Sequence, residues 1–309
     1  MTSDITSVKA GVVGAGVFGG YHASKYAAEP RAELVGVFDP DLAKAAALAE
    51  KFGGRAYETA RELILDCDVI TVASPAIYHF EAAASALARG RHVLVEKPVA
   101  ASVEEAREMV GLAASHGCVL QVGHQERFVF EAMGLMRVAE QPKRIIAQRM
   151  GPPSDRNLDV SVTLDLMIHD LDLAIALAGA PVRSVEGEVD EGRFGHPDIA
   201  KAVLTFENGC VAELTSSRVH DDRARTMHVE YESGTLDIDF VAKTFVNNTP
   251  HDLNPDFGED PRAKDSLGAN VSAFLDSVIN KSPVVVPGIA GLRALDAARA
   301  VDGERVYGS

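Results

Sequence analysis

A chain of 309 residues, 47% of them apolar, can bury two modest cores, so two domains are the starting expectation. Its 30 basic and 45 acidic side chains leave a formal charge of −15, which sets the field of the whole protein against nucleic acid and anionic membrane as partners. No apolar run approaches the roughly 20 residues of a bilayer span, and the start of the chain, with Asp4 before its apolar run, lacks a signal-peptide pattern, so the cytoplasm is the expected compartment.

From Val8 to about Val122, short β-branched runs alternate with alanine-rich helical stretches, the pattern of a doubly wound α/β domain with a parallel sheet. Strands are predicted at Lys9–Val13, Ala32–Phe38, Val69–Val72, His92–Val95 and Val119–Gly123. Helices are predicted at Ala43–Phe52 and His79–Arg89, the latter closed by Gly90. After Gly123 the rhythm changes to an α+β pattern. One apolar helix, Asp165–Ala178, stops at Gly179 and Pro181, and strands follow with hairpin signals at Asn208-Gly209 and Ser233-Gly234. Thr244–Ser266, rich in Asn, Asp and Pro, reads as a loop, and helices return at Asn270–Ile279 and Gly288–Val301, expected to pack back on the first domain. The boundary is drawn between 1–122 and 123–309. Cys67, Cys118 and Cys210 form neither a CxxC pair nor a metal-ligand cluster; all three read as small core residues, and no metal site is expected.

Gly14-Ala15-Gly16-Val17-Phe18-Gly19 follows the first strand and opens a helix. Gly14 turns the chain, Gly16 admits a pyrophosphate to the backbone, and Gly19 lets helix and strand pack closely. Asp39 ends the second strand, 20 residues past Gly19, where a carboxylate binds the ribose hydroxyls of NAD and repels the 2′-phosphate of NADP. Residues 1–122 are therefore read as a Rossmann domain with NAD as cofactor; a glycine-rich turn with Asp39 capping a loop is the plainer alternative.

Glu96-Lys97-Pro98 follows the predicted strand His92–Val95, at the sheet edge where open α/β folds hold ligands, so Lys97 is placed to reach a substrate hydroxyl. Asp165, His169 and Asp172 stand at i, i+4 and i+7, one polar stripe on an apolar helix. Such a stripe must face a partner or a cleft, because unpaired buried charges cost several kcal/mol. The plainer alternative makes Asp165 an N-cap and His169 a satisfied core histidine. Alcohol oxidation needs a hydride acceptor, a base and positive charge beside the developing alkoxide; NAD, His169, oriented by a carboxylate one turn away, and Lys97 supply these.

Taken together, Gly14-x-Gly16-x-x-Gly19-x-x-His22, Ser74-Pro75 with His79, Glu96-Lys97-Pro98 and Asp165-x-x-x-His169-x-x-Asp172 resemble the Gfo/Idh/MocA family of sugar and cyclitol dehydrogenases over nearly the whole chain. The resemblance implies Lys97 and His169 as the catalytic pair with Asp165 beside them. It also implies a cofactor site comprising Gly14, Gly16, Val17, Phe18, Gly19, Asp39, Ser74, Pro75, His79, Glu96, Lys97 and Arg127. A second domain with an open, mainly antiparallel sheet, used in a homodimer or tetramer, belongs to the same expectation. Val122–Phe128 and Asp159–Asp172 look closer to the branch that oxidises the 3-hydroxyl of UDP-N-acetylglucosamine, whose ketone a partner aminotransferase consumes on the way to lipid A or related glycans. Many sugar dehydrogenases of the wider family carry Gly where this chain has Met167, which reshapes the pocket. The substrate site would then comprise Lys97, Asp165, His169 and an arginine for the diphosphate. Arg149 and Arg156 come first, ahead of Arg218, Arg223 and Arg225. A free-sugar or inositol-type dehydrogenase and a non-catalytic NAD-binding regulator are the competing readings; the joint presence of Lys97, Asp165 and His169 disfavours the regulator.

Overall fold

The computed structural model describes residues 7–154, 159–193 and 195–308. They divide into two compact units, one running through Gln125 and joined by Asp265–Leu292, the other made of Glu126–Lys264 and the residues from Arg293 onward.

The first unit contains β1 (Val8–Val13), α1 (Val17–Ala28), β2 (Ala32–Phe38), α2 (Leu42–Phe52), β3 (Arg55–Tyr57), α3 (Ala60–Asp66), β4 (Val69–Val72), α4 (His79–Leu87), β5 (His92–Val95), α5 (Val103–His116) and β6 (Leu120–Val122). Its six strands are parallel in the order β3-β2-β1-β4-β5-β6. The order reverses at β1 and β4, so the carboxyl ends of these two strands flank the crevice where such sheets bind ligands. β4 is buried at every position, as a central parallel strand covered on both faces requires. Helix starts follow local chemistry. Ser102 and Glu105 form a reciprocal capping box at α5, and Thr59 and Asp41 cap α3 and α2.

The second unit contains α6 (Glu126–Met133), β7 (Arg144–Met150), a π-helical turn (Thr163–Met167) running into α7 (Ile168–Ala178), β8 (Val182–Val189), β9 (Ile199–Phe206), β10 (Val211–Ser217), β11 (Ala224–Tyr231), β12 (Gly234–Asp239), β13 (Thr244–Asn247) and α8 (Pro261–Lys264). Its sheet runs β13-β12-β11-β7-β10-β9-β8 and is antiparallel except where β7 and β10 pair in parallel. The predicted hairpins join β9 to β10 and β11 to β12; Gly209 turns the first at φ +87°. On β9, Ala200, Ala202, Leu204 and Phe206 are buried and alternate with more exposed residues, so the sheet has one apolar face. α7 and the π turn contact β10.

Thereafter α9 (Ser266–Ile279) belongs to the first unit, and α10 (Gly288–Val301) starts in the first unit and ends in the second. Phe274 and Leu275 of α9 are fully buried with Val12, Val37 and Tyr26 in one core; each such side chain contributes about 1.5–3 kcal/mol by leaving water. Arg31 fixes the helix from outside, with Nη1 donating to Asp276 at 2.7 Å.

Three expectations need correction. The segment read as a loop, Thr244–Ser266, contains β13 and α8. Side chains such as Asn247 and Asn254 do bond neighbouring backbone as turn residues should, but β13 is stabilised by pairing to β12 and by stacking of Phe245 on Phe257. The helix expected from Asp165 begins as a π turn. Cys118 is half-buried, unlike Cys67 and Cys210. Among the described residues no helix is long and apolar enough to cross a membrane.

Candidate functional site

In the first unit, Gly14 stands at φ +101°, and a Cβ there would lie 2.6 Å from the Ser74 nitrogen, so the β1 and β4 loops meet with no room for a side chain. Gly19 approaches the Gly14 carbonyl so closely that any Cβ would collide with it. Gly16 is different: open space surrounds the position of its missing Cβ. It forms the N-terminus of α1, which no side chain caps and whose first turn carries no acid. Free amides and a positive helix end beside an open glycine suit a pyrophosphate. Asp39 is aimed by two amides, accepting from Ala15 N at 2.8 Å and Asp41 N at 2.9 Å, and so presents a fixed carboxylate at the end of β2. These residues fit NAD: α1 and Gly16 for the pyrophosphate, Asp39 for the ribose.

Along the same sheet edge, Glu96 directly follows β5 and accepts a 2.7 Å hydrogen bond from His22 Nε2 of α1. Burial resists its charge, but the His22 hydrogen bond and charge, with Lys97, hold the carboxyl below its usual range. Gly123 packs on this carboxylate, which a Cβ would meet at 2.6 Å. Lys97 follows, half-buried, with a cis peptide to Pro98. His79 is buried, its Nδ1 2.8 Å from the Pro98 carbonyl and its Nε2 2.8 Å from that of Ser74; burial pushes its proton affinity down even though both carbonyls favour the charged ring. It thereby ties the loop after β4 to the loop after β5.

In the second unit, His169 opens α7 with its side chain 17% exposed, and its Nδ1 lies 2.7 Å from Glu126 Oε2. A carboxylate accepts and never donates, so a ring protonated at Nδ1 is the form that suits this contact. Glu126 Oε1 accepts from Arg149 Nη1 at 3.1 Å, and Arg149 forks onto Asp170 at 2.9 and 2.8 Å. Burial disfavours charge on Glu126, yet His169, Arg149 and Arg225 hold its carboxyl well below the ordinary value. Burial likewise opposes the Arg149 charge, which Asp170 and Glu126 more than restore. Asp165 sits half-buried in the π turn rather than at an N-cap. Ser161 Oγ organises that turn, accepting from Leu164 N at 3.2 Å and donating to Asp302 at 2.6 Å.

The expected polar stripe is thus divided. Asp172 does not share a surface with His169 as a second orienting group; it is buried in a fork with Arg127, at 2.6 and 2.8 Å. Glu126, the carboxylate on Nδ1, comes from another helix and was not among the residues singled out from sequence; its place directly before Arg127 in a segment already marked was the only available signal. Arg127 is 8% exposed with its guanidinium on Asp172, and Arg149 is 3% exposed with its guanidinium on two carboxylates. Arg218 is likewise engaged, donating to Asp198 at 2.6 Å. Arg225 is half-buried and Arg223 exposed on the approach to β11, whereas Arg156 lies outside the described residues.

Residues 8–124 match the model of the Gfo/Idh/MocA oxidoreductase family with NAD-binding Rossmann fold, and residues 144–237 match the Gfo/Idh/MocA C-terminal domain. UDP-N-acetylglucosamine 3-dehydrogenase of Acidithiobacillus ferrooxidans is 35% identical over 305 residues, spanning 94% of this chain and 95% of the relative. A solved structure of that enzyme aligns with TM-score 0.87 and 34% identity over 96% of this chain and 97% of that one. The scyllo-inositol 2-dehydrogenase (NAD(+)) of Bacillus subtilis is 28% identical across 90% of this chain and 88% of its own. The chain therefore belongs to the Gfo/Idh/MocA family of oxidoreductases, with NAD as its cofactor.

Proposed function

We propose that the protein oxidises the 3-hydroxyl of UDP-N-acetylglucosamine to the 3-keto sugar. The observation that carries this reading is the 35% identity, end to end on both chains, to an enzyme of that name. When bound, NAD accepts the hydride from the alcohol carbon. The remaining work falls to the chain's own residues. His169 takes the hydroxyl proton at Nε2, its Nδ1 lying 2.7 Å from Glu126 Oε2. In this reading Lys97 supplies positive charge to the developing alkoxide and Asp165 anchors the sugar. Lys97 belongs to the first unit and His169 to the second, so the reading requires both to reach one hydroxyl.

For the diphosphate, Arg225 takes the place first given to Arg149, whose guanidinium is enclosed by Glu126 and Asp170. Arg225 is a desolvated cation: burial lowers its proton affinity and the charge of Arg149 lowers it further. An anion arriving there relieves both. A 3-keto nucleotide sugar is the substrate form an aminotransferase takes, so coupling to one belongs to the same reading.

The test is reduction of NAD, followed at 340 nm, with UDP-N-acetylglucosamine as substrate and an aminotransferase present to remove the ketone. Turnover is expected there and should be lost in Lys97→Met with NAD binding retained. Turnover with scyllo- or myo-inositol but none with the nucleotide sugar would replace this reading with the cyclitol reading that the Bacillus relative favours.

A further inference from the structure

We propose that Glu126 is a positioning residue for His169: it holds the Nδ1 proton, so that the neutral ring carries its lone pair on Nε2, and its charge makes Nε2 a stronger base, while Arg149 keeps Glu126 ionised. The inference rests on His169 being the base in the reaction proposed above, but its central claim concerns the state of the imidazole and is measurable without substrate.

The geometry has the form of a fixed chain. His169 Nδ1 is 2.7 Å from Glu126 Oε2, the other oxygen of Glu126 is 3.1 Å from Arg149 Nη1, and Arg149 is in turn held by both oxygens of Asp170. The links come from α6, β7 and α7, so rotation of any one side chain breaks contacts on another element. Arg149 has a side chain 3% exposed, and Asp170 one 6% exposed, so water does not compete for these partners. The arrangement is reciprocal. Asp170 fixes the arginine, the arginine fixes the carboxylate, and the carboxylate selects the tautomer.

Charge supports the same role. The charged groups coupled to Glu126 include Arg149 from β7, Arg225 from β11 and, through Arg225, Arg223 before β11 and Asp170 from α7. A proton arriving on Nε2 places the imidazolium charge against the Glu126 carboxylate, 2.7 Å from the ring. During the step the substrate O–H bond breaks and its proton goes to Nε2. The Nδ1 proton stays on the ring, and Glu126 remains a carboxylate. Without Glu126 the charged ring loses its adjacent carboxylate, and Nδ1 is no longer obliged to be the protonated nitrogen.

The test is long-range ¹H–¹⁵N correlation spectroscopy on the full chain with ¹⁵N-labelled histidine, the His169 signals being identified by their loss in His169→Asn. In the unsubstituted protein the neutral ring should be the Nδ1–H tautomer; an Nε2–H ring overturns the proposal by itself, whatever happens to the variants. In Glu126→Gln the His169 titration midpoint should fall by about 1–3 pH units, the effect of deleting an adjacent opposite charge. Glu126→Asp, which keeps the charge, should recover most of that shift. The acid limb of kcat/KM should move with the midpoint, kcat should drop at least about 100-fold in Glu126→Gln, and NAD affinity should stay constant. A midpoint that moves by less than about 0.3 unit, or an acid limb unchanged while kcat falls, assigns Glu126 a merely structural part and refutes the inference. If UDP-N-acetylglucosamine is not a substrate, the imidazole measurements still decide the question.

Discussion

Replacing Arg127 by Met strands Asp172 on the buried side of α7. The fork between them has N–O distances of 2.6 and 2.8 Å, and the two side chains are 9% and 1% exposed. Removing one member of so buried a pair leaves a carboxylate without water or counter-charge, which costs about 3–5 kcal/mol. Asp172→Leu strands the guanidinium instead, at a comparable cost. The double variant removes both charges and their desolvation, and apolar replacements of a buried pair are commonly neutral or better, so it should lie within about 2 kcal/mol of the parent. The chain contains no Trp, so urea unfolding is best followed by circular dichroism, with NAD affinity measured in parallel by calorimetry. Destabilisation below about 1 kcal/mol for Arg127→Met, or single-variant costs that simply add in the double variant, would refute this account of the pair. The NAD arm separates two roles for Arg127. Unchanged affinity in the folded single variant supports an anchor for α7; a lost affinity supports the cofactor contact that family resemblance implies.

Three other substitutions test the remaining parts. Gly16→Ala meets open space, so its stability should stay within about 1 kcal/mol of the parent, while NAD affinity falls about 10–100-fold as the methyl group enters the pyrophosphate path; Gly19→Ala instead collides with the Gly14 carbonyl and should lose fold and binding together. Equal effects of the two on thermal midpoint would contradict the assignment. Asp39→Ala should erode the preference for NAD over NADP, measured as the ratio of their dissociation constants; an unchanged ratio argues against its ribose role. Asp198 is held below the usual carboxylate range by the Arg193 hydrogen bond, against burial, and by Arg218. A carboxyl depressed in the folded state contributes stability that is complete above its unfolded value near pH 4 and is lost as pH falls through the folded value. Arg218→Met should therefore cost about 1–3 kcal/mol at neutral pH, with the gap to the parent narrowing below about pH 4; a gap constant down to pH 2 would show that Asp198 is not the group involved.

The first unit was legible because each of its signals is local. β2, β4 and β5 begin and end where buried β-branched runs meet polar residues, and the three glycines and Asp39 lie within one strand-helix-strand stretch. The electrostatics of the second unit were not, because every important pair joins distant segments: Arg149 to Glu126 across 23 residues and Arg127 to Asp172 across 45. Helical spacing alone put Asp165, His169 and Asp172 on one stripe. The π turn before α7 widens the spiral by one residue, so Asp165 does not keep the phase of the helix that follows. Asp170, off the expected stripe, is the residue that fixes Arg149. Arg149 itself illustrates the same limit: nothing near it in sequence announces the two carboxylates, Glu126 and Asp170, that its guanidinium meets.

The return of α9 to the first unit has a consequence for synthesis. Phe274 and Leu275 complete a core whose other members, such as Val12 and Val37, leave the ribosome near the start of translation. At ordinary elongation rates the stretch from the end of β6 to the end of α9 takes about 10–30 s to make. During that interval the six-stranded sheet exists with one side of β1 and α1 bare, and Glu126–Lys264 of the second unit emerges before the first unit is finished. Each unit is therefore completed only by a segment made after the main part of the other. A nascent chain halted before Asp265 presents an apolar face that chaperones should hold, and a chain released after Ile279 does not.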